Sequence, residues 1–272
     1  MSLVVAVSSE EYIINLCHQA ARDEGRLDRQ EYGPRVVKIS EDIAVKYGCG
    51  VTASEAATQD FAYRMVDPSI VHIPRVYRFI EVKSKGSRPK GYIVMDYIPG
   101  KCLSEVDIES DPDIVVRMAK TILHLSQIKG GTTPGPFGGG RPQGYIWGDD
   151  GAKTEFHSLE EMNVYMDKRL ERHNDTIDLT PYPLVLCHLD MCRRNIILEE
   201  DNKSLCLVEW DHAGLYPRFF EFAMIPCTFP YDGAFEKPLM QELERLMDFT
   251  DEEKKFTMLV QCVRAANLRW IL

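Results

Sequence analysis

The sequence predicts an α+β fold of two lobes. A small antiparallel sheet with one inserted helix occupies residues 1–98, and a larger, mainly helical part occupies 99–272. Three observations carry this prediction. Two pairs of short β-rich runs flank a single helical segment in the first hundred residues. Pro99-Gly100 breaks the chain after the last run, and apolar stripes at helical spacing fill most of the C-terminal part. With 44% hydrophobic and 27% charged side chains in 272 residues, the chain has material for a sizeable core, which excludes disordered, collagen-like and coiled-coil classes.

Residues 8–25 read as a first helix: Ser8 and Glu11 form a capping box, Ile13, Leu16, Cys17 and Ala20 an apolar stripe, and Gly25 the stop. Residues 35–39 and 43–46, separated by Ser40-Glu41-Asp42, read as a hairpin. Residues 52–66 form the inserted helix, with Thr52 and Glu55 as a second capping box and Pro68 beyond its end. Strands at 75–82 and 91–97 follow, joined by the polar linker 83–90. In the second part, residues 113–128 carry apolar side chains at 115, 118, 122 and 125 and read as a long helix. Seven glycines and three prolines make 130–144 a loop, since that density breaks both helical and strand periods. A Ser158/Glu161 capping box opens a helix over 158–173, short strands are expected at 184–187, 196–198 and 205–208, and the last forty residues are helical.

Thirty-two basic against 42 acidic residues leave a net charge of −10, which disfavours nucleic acid as a partner because phosphate contacts need a basic surface. No apolar run reaches membrane-spanning length, and residues 1–7 are too short, and lack the basic flank, for a secretory signal. The eight cysteines are scattered and include no Cys-x-x-Cys pair, which suits buried thiols in a reducing compartment; a cytoplasmic location is expected. Cys187, Cys192, Cys206 and His212 match no common zinc spacing.

The strongest chemical signal is His188-Leu189-Asp190-Met191-Cys192-Arg193-Arg194-Asn195, between two apolar strands, with Val208-Glu209-Trp210 at the end of the next. A carboxylate and an amide five residues apart on a tight loop can face one point. The carboxylate can take a hydroxyl proton, the amide oxygen can hold a metal ion, and a second carboxylate from the following strand completes the metal site. Phosphoryl transfer needs this set, since its catalysis is mostly positioning and charge neutralisation. The bland alternative is a polar turn with a core histidine. Lys46, ending the run Ile43-Ala44-Val45, can reach nucleotide phosphates while Glu55 holds it as an ion pair; the alternatives are an ordinary strand lysine and a Glu55 spent on its capping box. The run from Tyr92 to Gly100 leaves backbone groups at a cleft that an adenine ring can use, or is simply a strand followed by a turn.

Taken in order, Lys46, Glu55, the 95–100 hinge, the 188–195 loop and Glu209-Trp210 resemble protein kinase-like folds, and most closely the aminoglycoside phosphotransferase-type small-molecule kinases in the form common in fungi. That form is suggested by Pro74-Arg75-Val76-Tyr77, by Phe156-His157-Ser158 after Trp147-Gly148-Asp149-Asp150, and by the run from Val208 to Gly214 followed by Tyr216-Pro217. The resemblance covers about residues 33 to 225 and implies ATP and Mg2+ as cofactors and a small hydroxyl-bearing molecule as substrate. It implies Asp190 as catalytic base, Asn195 and Glu209 (or Asp211) as magnesium ligands, Lys46 held by Glu55 on the phosphates, Asp96 and Ile98 as adenine-binding backbone, and His188 as a brace. Protein kinases themselves fit less well, since Asp-Phe-Gly and Ala-Pro-Glu are missing. Two features depart from the family. Glu209 stands where it normally has aspartate, and no Gly-x-Gly-x-x-Gly precedes Lys46. If the strand continues, Asp211 lies on the same face as Glu209 and can substitute. These departures keep open a catalytically impaired scaffold or partner-binding protein, or a kinase fold turned to other chemistry. Asp149, Asp150, Glu155, Glu160 and Glu161 would favour a cationic substrate; the commoner role of such a charge run is a solvated face.

Overall fold

The computed structural model describes residues 8–22, 26–27, 33–83, 86, 88–108, 111–228 and 231–269. The apolar stretch 1–7 and the helix stop expected at Gly25 lie outside the described residues. The first helix, α1 (Glu10–Ala20), begins one residue later than a Ser8 cap allows: Ser9 is the N-cap, its hydroxyl accepting from the Tyr12 N–H at 3.3 Å. The Ser8 carbonyl is used by Arg78 instead, at 3.0 Å.

The hairpin forms as β1 (Arg35–Lys38) and β2 (Ile43–Gly48), closed by Ile39 N–H to the Ile43 carbonyl at 2.9 Å. Helix α2 (Ala53–Met65) follows, then β3 (Val76–Val82) and β4 (Lys90–Asp96). The four strands make one antiparallel sheet in the order β1-β2-β4-β3. Strand alternation sends Val37, Ile43, Val45, Tyr92 and Val94 to one apolar cluster with Ile13 and Cys17 of α1. The other parity, Ala44, Ile93 and Met95, packs with Val51 and with Ala56 of α2. Lys46 has the parity of Ala44, so the strand itself delivers the ammonium to the α2 side of the sheet.

Strand β5 (Gly100–Cys102), which the sequence pattern does not predict, begins at the expected linker glycine and pairs with β7 (Ile196–Glu199). The helical lobe is built from α3 (Asp113–Leu125), α4 (Leu159–Leu170), α5 (Phe219–Met224), α6 (Gly233–Met247) and α7 (Asp251–Arg269) around a large apolar core. The expected helix over 158–173 loosens after Leu170 into a 3-10 turn, Glu171–His173. Strands β6 (Val185–Cys187), β7 and β8 (Leu205–Leu207) form as expected, and a fourth short strand, β9 (Gly214–Tyr216), pairs with β6. The glycine-rich segment 130–144 is a loop that docks on the other lobe: Phe137 stacks on Phe61 at 4.2 Å, and its N–H reaches the Thr58 hydroxyl at 2.9 Å. Among the described residues no helix is long and apolar enough to cross a membrane.

Candidate active site

Thr52 caps α2, accepting the Glu55 N–H at 3.1 Å. A capping box would send the Glu55 carboxylate back to Thr52. It goes to Lys46 instead, at 2.5 Å, so the cap uses only the backbone of Glu55 and leaves its side chain for the ion pair. Both side chains are buried, 4% and 2% exposed, and the second Glu55 oxygen is a buried acceptor with no hydrogen-bond partner among the described residues. Glu209 reaches the same ammonium at 2.8 Å. Burial pulls the Lys46 pKa down, but Glu55, Glu209 and Asp211 together outweigh it and hold the lysine well above its ordinary value.

The loop after β6 is braced from three directions. Glu221 of α5, itself buried, accepts the N–H groups of His188 and Leu189. Leu189 holds a left-handed backbone, φ +64°, unusual for a branched residue. His188 is fully buried; its Nε2–H donates to the Val208 carbonyl at 3.0 Å, and its Nδ1 accepts the Asp190 N–H at 3.3 Å. Those roles define a neutral tautomer, and burial lowers the His188 pKa accordingly. Trp210 packs edge-on against the imidazole at 4.9 Å.

Around Asp190 the chain supplies two donors. The Asn195 amide nitrogen lies 2.7 Å from Asp190 Oδ2 and 3.0 Å from the Asp190 carbonyl, which leaves the amide oxygen as the group available to a cation. Arg194 places one nitrogen 3.1 and 3.2 Å from the two carboxylate oxygens and 3.0 Å from the Tyr145 hydroxyl. Tyr145 sits in a 3-10 turn (Tyr145–Trp147) that begins after Gly144, at φ 99° and ψ −175°, a conformation essentially restricted to glycine. A Cβ there would fall 2.5 Å from the His212 ring, which packs against Tyr145.

The expectation that Glu209 and Asp211 share a strand face fails. Strand β8 ends at Leu207, and Glu209 has φ +65°, so the chain turns at this residue. Asp211 nevertheless lies near Lys46: burial would raise its pKa, but Lys46, His212 and His188 bring it below the ordinary value. Asn195, Glu209 and Asp211 thus offer an amide oxygen and two carboxylates, a hard all-oxygen set of the kind magnesium takes. Among the described residues no three His, Cys, Asp or Glu side chains gather around one metal position, the Cys187, Cys192, Cys206 and His212 set included.

At the hinge, the Asp96 carboxylate is held by the Tyr77 hydroxyl at 2.5 Å and the Arg75 N–H at 2.9 Å. The Asp96 N–H donates to the Arg75 carbonyl, which leaves its own carbonyl as the group to offer a base. Asp96 and Ile98 line a cleft of about 400 Å3 whose walls include Val36, Ala44, Ile197 and Val208. Asn195, Arg194 and Glu209 line the same cleft. Asp190 and Lys46 join it through Asn195 and Glu209. The acidic side chains Asp149, Asp150, Glu155, Glu160 and Glu161 are exposed, and three are engaged locally: Asp150 with Lys153 at 3.1 Å, Glu160 with the Ser158 hydroxyl, and Glu161 with the His157 N–H at 2.8 Å. Sequence reasoning missed Glu221, Tyr145 and the role of Arg194. Only Arg194 had a signal, its place inside the loop motif.

A small sheet lobe over a helical lobe, with a buried Lys–Glu pair above an Asp–Asn loop, defines a kinase-like phosphotransferase fold. Residues 31–252 match the phosphotransferase enzyme family, and the chain belongs to it. Among solved structures it is similar to the apo form of a thermostable mutant of aminoglycoside phosphotransferase APH(4)-Ia, with 15% identity, TM-score 0.57, and 89% of this chain and 84% of that one covered. It is also similar to a ternary complex of a thermostable mutant of the same enzyme with ADP and hygromycin B, with 14% identity, TM-score 0.58, and 96% and 90% covered. A further match is a ternary complex with AMP-PNP and hygromycin B, with 14% identity, TM-score 0.55, and 89% and 83% covered.

Proposed function

We propose that the protein transfers the γ-phosphate of ATP to a hydroxyl of a small molecule, with Asp190 as base. The observation that carries this reading is the Asp190 carboxylate, aligned by Asn195 and Arg194, beside a largely apolar cleft that runs to the hinge. Family membership supports it, as do fold relatives crystallised with ADP or AMP-PNP and hygromycin B. In the reaction the acceptor oxygen attacks the γ-phosphorus, its proton passes to Asp190, and the bond to the β–γ bridging oxygen breaks to release ADP. Lys46, held by Glu55, contacts the phosphates, and the Asp96 carbonyl and Ile98 N–H receive adenine. Asn195, Asp211 and Glu209 would hold magnesium, which supplies charge neutralisation at the phosphates. Arg194 keeps the base carboxylate aimed and screens it from the incoming phosphate charge. The exposed acidic side chains before and within α4 favour a cationic acceptor.

One observation favours a second reading, nucleotide binding without turnover: the Glu209 carboxylate already occupies the ammonium that phosphate would need. Thermal unfolding with ATP alone, Mg2+ alone and both together, for the native chain and Glu209→Asp, separates the two. A ligand at a hundred times its Kd adds about 2.7 kcal/mol, which corresponds to a rise of roughly 5–10 °C in a chain of this size. A rise in the native chain that needs both, followed by ADP release on adding a hydroxyl-bearing acceptor, is expected. A rise in the native chain without ADP release establishes the second reading, a rise seen only in Glu209→Asp shows a nucleotide site closed by Glu209, and flat curves in both refute nucleotide binding.

A further inference from the structure

A second cavity, of about 540 Å3, shares no lining residue with the cleft. It lies where the segment leaving α2, one face of α3 and the β7–β8 turn come together, and its size is that of a metabolite site. Its lining includes His72, Arg117, Lys120, His124 and Lys203, and no carboxylate among the described residues. The chain as a whole carries a net charge of −10, so these five cationic side chains run against its overall balance.

The charges facing the cavity fall into two sets. Arg117 is held by Asp113 at 3.1 Å and Asp111 at 3.6 Å, and donates to the Lys203 carbonyl; His72 Nδ1 lies 2.5 Å from Glu199. Those pairs fix the walls, and two further carboxylates stand directly behind the lining: Asp67 accepts from Ser69, and Asp201 from Lys203 N–H and Ser204. Lys120 and Lys203 are exposed and make no ion pair with any described residue, although Glu242 of α6 lies close enough to feel Lys120. His124 accepts the Asp67 N–H through Nε2 at 2.9 Å, so its proton sits on Nδ1 as a donor. Two ammonium groups without an ion pair among the described residues, and an N–H donor, line a concave space of this volume, and such donors suit multiple negative charge.

We propose that this cavity binds a small polyanion bearing phosphate or carboxylate groups, with Lys120 and Lys203 as its charged contacts. The site also has a structural consequence. The His72 N–H donates to the Leu205 carbonyl at 2.8 Å, and the His72 carbonyl accepts the Leu207 N–H at 3.0 Å, so the cavity wall joins the exit of the Glu55 helix to the strand that leads to Glu209. A polyanion there bridges all three segments.

Calorimetric titration of inorganic pyrophosphate, and separately of citrate, into the metal-free protein tests the proposal. The comparison is between the native chain, Lys120→Glu/Lys203→Glu, and Lys237→Glu/Lys254→Glu, which makes the same charge change on exposed lysines that do not line the cavity. Expected is saturable binding that weakens with added NaCl, falls at least tenfold in the Lys120/Lys203 variant, and is kept within about threefold in the control. The tighter of the two probes identifies phosphate or carboxylate as the natural group. No binding of either probe to the native chain overturns the proposal. So does equal loss in both variants, which would mean general electrostatics, and so does full binding by the Lys120/Lys203 variant, which would put the anion elsewhere, the cleft included.

Discussion

Glu221 is buried and hydrogen-bonded to two backbone N–H groups of the loop that carries Asp190, the base proposed above, and so braces that loop from within the helical lobe. Replacing it with alanine leaves the His188 and Leu189 N–H groups buried without an acceptor, at about 1–3 kcal/mol each. The loss of stability is therefore about 2–6 kcal/mol. Glutamine keeps one acceptor oxygen and isolates the charge. Burial pushes the Glu221 carboxyl up to about 7 from its ordinary 4.5, against the pull of the two N–H donors. An acid that holds its proton more tightly in the fold stabilises the fold most below pH 4.5, and that contribution disappears as pH rises through 7. Between pH 5 and pH 8 the native chain should thus lose about 2–3 kcal/mol relative to Glu221→Gln. Urea unfolding of both proteins at the two pH values measures this double difference, in which every other titrating group cancels. Parallel behaviour of the two would refute the raised carboxyl. Phosphoryl-transfer kinetics supply the second readout: Glu221→Ala should lower kcat with little change in nucleotide Kd, because the residue touches the loop and not the cleft. A native kcat in Glu221→Ala, measured below its melting temperature, would refute the bracing role.

Asp190→Asn should lower kcat by about a hundredfold or more while nucleotide affinity in calorimetry stays within twofold, since only proton acceptance is removed. Lys46→Ala should weaken nucleotide binding and also destabilise the fold by about 3–5 kcal/mol in denaturant melts, because it strands the buried Glu55 carboxylate. Gly144→Ala forces a Cβ into the His212 ring and a backbone conformation that alanine avoids. It should lower stability by about 1–3 kcal/mol in thermal unfolding and reduce kcat through Tyr145 and Arg194. Thr52→Ala removes the α2 cap and should cost about 1 kcal/mol in the same assay.

The parts of this architecture legible in sequence are those written within about ten residues. The Ser40-Glu41-Asp42 turn announces the hairpin, Thr52 announces α2, and Lys46, Asp190 and Asn195 announce themselves by short spacings between apolar runs. Local patterns misled where a neighbour far along the chain competed for the same group. Glu55 has the right spacing for a reciprocal cap, but Lys46 offers its carboxylate a buried charge partner, which a backbone N–H does not outweigh. Ser8 has the right spacing to Glu11, but Ser9 takes the cap and Arg78, seventy residues on, takes the Ser8 carbonyl. Strands β5 and β9, three residues each, are too short for any period to show, and exist only because β7 and β6 lie beside them.

The Glu209–Asp211 pair shows how far alternation can be carried. Extending the β8 pattern by two residues assumes extended backbone, and the left-handed turn at Glu209 breaks that assumption. Once the chain turns, the two carboxylates cease to be equivalent substitutes and divide the work: Glu209 bonds Lys46 directly, while Asp211 stays near it and ionised. A side chain one methylene longer than aspartate can span to the lysine, and the shorter carboxylate two residues later then keeps no direct bond to it. On this geometry the aspartate-to-glutamate departure in the family motif and the nearby Asp211 are one arrangement of charge, and Glu209→Asp and Asp211→Asn should be coupled in their effect on ATP- and Mg2+-dependent stabilisation. Strict additivity of the two in a double-mutant cycle would show that each carboxylate acts alone.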